Sequence, residues 1–88
     1  MRYKKKFSVI LEFITEAKSF GVDETDLQEC MDLLEHGEFG LAVDHLATQI
    51  FEYDTPISAS FFQKLSEIAK KMKMDESEYA YISVLIKS

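Results

Sequence analysis

The chain reads as all-α, a compact bundle of four to five short helices, and three observations predict this. Apolar residues recur at three- and four-residue spacing along almost its whole length. Glycine, proline and capping side chains interrupt that period at intervals suited to short helices. No stretch alternates with period two between turn residues, although 82–86 is short enough to read either way.

Phe7, Ile10, Leu11, Ile14 and Ala17 place a first helix from about residue 3 to Phe20, and Gly21 follows as its stop. Asp23 or Thr25 is positioned to cap a second, whose inner stripe is Leu27, Cys30, Met31 and Leu34 and which Gly37 ends. A third carries Phe39, Ala42, Val43, Leu46, Ile50 and Tyr53 on one face. It breaks at Asp54-Thr55-Pro56, because proline lacks a donor and disfavours helix in the residue before it. Ser58 or Ser60 starts a fourth, Ser60 having capping-box spacing to Gln63, with Phe61, Phe62, Leu65, Ile68, Ala69 and Met72 inward. Asp75 with Glu78 repeats that signal before a last helix of Tyr79, Ile82, Leu85 and Ile86. Tyr79 and Tyr81 cannot both face one core, so one of them is expected at the surface. Connections of two to five residues and a length of 88 residues imply one domain, 1–88.

Ten basic and sixteen acidic residues give a net charge of −6, which disfavours nucleic acid or an anionic membrane as partner. The charge is segregated. Residues 1–22 hold five basic and two acidic side chains, residues 23–54 hold ten acidic and no basic ones, and residues 55–88 hold five basic and four acidic ones. The apolar stretch after Arg2, Lys4, Lys5 and Lys6 is interrupted by Glu12 and offers no small-residue cleavage site. With no apolar run of membrane-spanning length and one cysteine, a cytoplasmic location is expected.

Catalytic groups do not converge in this sequence. Cys30 lies on an apolar stripe, where cysteine packs as a small hydrophobe. His36 precedes a stop glycine, where imidazole can meet the last helical carbonyls, and His45 falls on the polar face of the third helix as a surface residue. A zinc site draws on about four Cys and His ligands. Only three such residues exist, on incompatible faces, and no calcium loop or phosphate-binding glycine loop is present. No enzymatic activity, metal, cofactor or small-molecule substrate is therefore expected.

The acidic segment invites a different reading. On a helical wheel Asp26, Glu29, Asp32 and Glu35 fan across the outer face of the second helix with no lysine four residues on. Asp44, Thr48 and Glu52 do the same on the third. Leu33 and Leu41 fall among these polar positions, and Phe51 at the edge of its stripe. A bare acidic face repels itself, which makes sense if a basic partner neutralises it around apolar anchors. The expected contacts are Asp26, Glu29, Asp32, Glu35, Glu38, Asp44 and Glu52 as charges, with Leu33, Leu41 and Tyr53 as anchors. A second candidate surface surrounds Tyr79 and Tyr81.

The run Leu33-Leu34-Glu35-His36-Gly37-Glu38-Phe39-Gly40-Leu41-Ala42, with Leu46 and then Tyr53-Asp54-Thr55-Pro56-Ile57-Ser58, resembles the MafI family of bacterial immunity proteins over about residues 33–74. The resemblance implies a cytosolic antidote that binds and blocks the C-terminal domain of a polymorphic or contact-dependent growth inhibition toxin, and it brings no catalytic residues. Such domains are often nucleases, with an RNase expected ahead of a DNase, and a cationic active site complements the acidic face. The rival expectation is a non-catalytic homodimeric adaptor or regulatory module in which Leu33 and Leu41 pair with a second copy.

Overall fold

In the computed structural model, which describes residues 3–87, the helical period becomes four α-helices and a terminal 3-10 segment. They are α1 (Tyr3–Ser19), α2 (Glu24–Glu35), α3 (Phe39–Glu52), α4 (Ala59–Lys71) and the 3-10 segment Glu76–Leu85. The apolar stripes meet in one core whose largest wholly buried side chains include Phe61, Ile10, Ile14, Leu34, Leu46 and Ile50. Phe13 and Phe61 stack at 4.4 Å between α1 and α4, and Phe20 meets Phe61 edge-on at 5.1 Å. α1 packs against α2, α3 and α4, and the most extensive helix pairing is α2 on α3.

All four α-helices end by one device, in which the residue after the cap turns left-handed and the next amide reaches back to close the turn. Gly21 and Gly37 hold this position at φ 98° and 74°, where glycine has no Cβ to clash. Glu38 N–H then bonds Leu33 O at 2.9 Å. Asp54 and Lys73 adopt the same turn at φ 50° and 58°, with Thr55 N–H bonding Ile50 O and Met74 N–H bonding Ala69 O. The third and fourth helices thus use L-residues where the first two use glycine.

Helix starts differ in part from the expectations. Asp23 is the N-cap of α2 but makes no side-chain capping bond. Ser58, not Ser60, caps α4, its Oγ accepting from Phe61 N–H at 3.1 Å. Asp75 caps the last segment by accepting from Ser77 N–H and Ser77 Oγ–H at 3.0 and 2.7 Å, rather than by a box with Glu78. These bonds hold its carboxyl below the ordinary carboxylate range.

The last helix is 3-10 rather than α. Tyr79, Ile82 and Leu85 stand three residues apart, so three residues per turn bring them onto a single buried edge. Ile86 leaves the helix and forms a parallel bridge with Ile57, with Ile57 N–H bonding Leu85 O at 3.0 Å and Lys87 N–H bonding Ile57 O at 2.8 Å. Among the described residues this is the one extended pairing, and it ties the C-terminal end to the α3–α4 connection.

Lys73→Gly should stabilise the fold by roughly 0.5–1 kcal/mol, because it relieves a left-handed L-residue. Ser58→Ala should cost about 1 kcal/mol and Phe61→Ala roughly 3–5 kcal/mol in urea unfolding. A neutral Phe61→Ala would contradict the stacked core.

Candidate interaction surface

Each helix pairing dictates where the acidic segment faces. α2 and α3 bury their apolar stripes, so Glu29, Asp32 and Glu35 on α2 and Asp44 and Glu52 on α3 lie exposed, with Glu38 in the turn between them. Among the described residues, Glu24 meets Lys18 at 3.7 Å and Glu29 meets His45 at 2.8 Å. The other eight of the ten carboxylates in 23–54 have no Lys, Arg or His nitrogen of the described residues within 4.0 Å.

Leu41, Asp44, Thr48, Phe51 and Glu52 form the outer ridge of α3. Asp44 accepts a hydrogen bond from the Tyr79 hydroxyl, fixing the 3-10 segment beside this ridge. Burial and then the Asp44 carboxylate push the Tyr79 phenol up, so it stays a donor. Tyr79 is buried and Tyr81 exposed, as the incompatibility of their directions requires. The Phe51 and Tyr81 rings meet edge-to-face at 4.9 Å while both remain exposed at 43% and 39%. Val84 stands one 3-10 turn beyond Tyr81 and is 71% exposed. The α3 ridge and the Tyr81 edge of the 3-10 segment, considered separately in the sequence, therefore adjoin.

Two expected contacts change, and Tyr53 leaves the inner stripe assigned to it. Asp26 is buried at 8% exposure and accepts a hydrogen bond from Gln49 Nε2 at 2.8 Å, because α3 covers its side of α2. Leu33 is half-buried against the core and is not a free anchor. Tyr53 lies beyond the helical face assigned to it, at the C-cap of α3, and is 70% exposed. Leu41, 54% exposed, keeps its place. Phe51 and Tyr81 are exposed aromatic neighbours that sequence reasoning missed as a pair. The signals were Phe51 at its stripe edge and the forced exposure of one tyrosine.

His36 Nδ1–H donates to Asp32 O at 2.7 Å, closing the end of α2. Cys30 is wholly buried, and burial followed by the Asp26 and Glu29 charges pushes its thiol up to about 12. His45 departs from the surface position expected of it. It turns toward α2, where one ligand atom each from Asp26, Glu29 and His45 lie within 4.8 Å of one another. Counting only cysteine and histidine as ligands overlooked this grouping. No helix among the described residues is long and apolar enough to cross a membrane. No family model, curated protein or solved structure matches the chain.

A thiol raised from 9.0 to about 12 holds about a thousandfold less thiolate at neutral pH. Native Cys30 should react with iodoacetamide at least roughly a hundredfold more slowly than in denaturant. Comparable rates would contradict its burial. Because the unfolded thiol releases its proton near 9.0 and the folded one near 12, this group makes stability fall as pH rises through that window.

Proposed function

We propose that this protein is a non-catalytic, cytoplasmic immunity protein that covers the basic site of a cognate toxin domain, an RNase ahead of a DNase. The observation that carries the reading is a face of exposed carboxylates, Asp32, Glu35, Glu38, Asp44 and Glu52, without cationic neighbours among the described residues, set around exposed Leu41, Phe51 and Tyr81. Anionic side chains on such a face stand where a nuclease would bind phosphates, and they accelerate encounter with a cationic cleft. Aromatic residues within that field supply area that leaves water on docking and slow dissociation. The MafI resemblance over residues 33–74 supports the same reading from the motif alone. The homodimeric alternative is weaker on physical grounds. A two-fold pairing would set the acidic face against its own copy, and Leu33, one of its two anchors, is half-buried.

The test takes the C-terminal domain of whichever secreted protein a gene adjoining this one encodes. Co-expression should abolish that domain's toxicity. Reversing Asp32, Glu35 and Glu52 to lysine should slow association about tenfold or more at low salt and flatten its salt dependence. Phe51→Ala with Tyr81→Ala should act mainly on the dissociation rate. A triple reversal that protects fully and associates as fast as the wild type would refute the acidic face as the interface.

A further inference from the structure

We propose that Asp26, Glu29 and His45 form a binding site for a divalent transition-metal cation, with Zn2+ the best match, across the seam between α2 and α3. This is independent of the toxin reading, since it concerns the isolated chain. Asp26 and Glu29 stand three residues apart on α2, hence on neighbouring positions of one face. His45 reaches them from α3, and the three donor atoms lie within 4.8 Å of one another.

Two further observations show that hydrogen bonding within this grouping is incomplete. Asp26 is more than nine-tenths buried, yet its hydrogen-bond partner is the neutral amide of Gln49 at 2.8 Å. A carboxylate withdrawn from water ordinarily needs a cation or several donors. His45 Nε2 is sealed from solvent. It lies 2.8 Å from Glu29 Oε2, yet no aligned hydrogen bond forms between them. A cation held among the three groups would balance the two carboxylates and give the Nε2 lone pair an acceptor.

The donor set selects the ion. One imidazole nitrogen with two carboxylate oxygens suits Zn2+ and its first-row neighbours, whereas Mg2+ and Ca2+ call for six or more oxygen ligands. Tetrahedral bonds of about 2.0–2.2 Å would place ligand atoms about 3.4 Å apart. Glu29 is exposed and free to rotate into that spacing. Gln49 then holds the Asp26 carboxylate from behind, as an outer-shell donor does. Asp26 and Gln49 also line a cavity of about 400 Å³ with Phe20, Val22 and Tyr53, which gives water a path to the Asp26 carboxylate.

The experiment is calorimetric titration of the full chain with zinc chloride in a non-chelating buffer, paired with nitrogen-detected NMR of the two imidazoles. One equivalent should bind, and His45 but not His36 should shift to saturation. His45→Gln and Asp26→Asn should each weaken binding about tenfold or more. His36→Gln and Glu35→Gln, both outside the cluster, should leave it unchanged. Absence of binding, or binding that survives His45→Gln in a chain with native circular dichroism, would overturn the site. If a variant fails to fold, the wild-type imidazole spectra decide: saturation at His36 instead of His45 also overturns it.

Discussion

Thirty-two consecutive residues with ten carboxylates and no lysine or arginine must fold into two packed helices, and the rest of the structure depends on how they do so. α2 and α3 solve the problem by pressing their apolar stripes together and turning nearly all of the charge outward. Leu27, Cys30 and Leu34 join Ala42, Val43, Leu46 and Ile50 in the core, and that burial opposes the repulsion across the outer face. At physiological ionic strength the screening length is about 8 Å, so neighbouring carboxylates on one face still feel one another. At the seam with α3, Asp26 turns inward to Gln49, while Glu29 reaches His45 from the exposed side.

The flanking elements hold this pair in place. α1 lies against α2, α3 and α4, so it carries the core from the acidic half of the molecule to the basic half. The 3-10 segment closes the far side of α3 through Tyr79 and Asp44 and is itself fixed by the Ile57–Ile86 bridge. Without that closure Tyr81 would not stand beside Phe51, and the acidic ridge would lack its aromatic edge. Fold and proposed interface therefore share residues: Asp44 both anchors the C-terminal segment and belongs to the acidic face.

Much of the architecture is legible because it rests on local rules. Gly21, Gly37 and Ser58 mark helix ends by their own conformational or capping chemistry, and the inner stripes of α1 to α4 follow from the helical period. Other features depend on neighbours that a helical wheel does not contain. Asp26, Leu33 and His45 all lie on wheel positions that look wet, but each is covered to some extent by an adjacent element. The 3-10 segment is ambiguous for a related reason: Tyr79, Ile82 and Leu85 satisfy both a three- and a 3.6-residue period over so short a run. Lys73 carries no signal for a left-handed turn. The acidic face was readable as a charge run, whereas its Phe51–Tyr81 edge joins residues thirty positions apart.

The central claim is that the fold carries an uncompensated acidic face, retained at a cost to stability. It is tested most directly by the thermal midpoint of the isolated chain as sodium chloride rises from low to physiological concentration. Repulsion across α2 and α3 predicts a midpoint that climbs with salt. It also predicts that Asp32→Asn with Glu35→Gln raises the low-salt midpoint and flattens the climb. A midpoint indifferent to salt, or lowered by neutralising those two carboxylates, would contradict it.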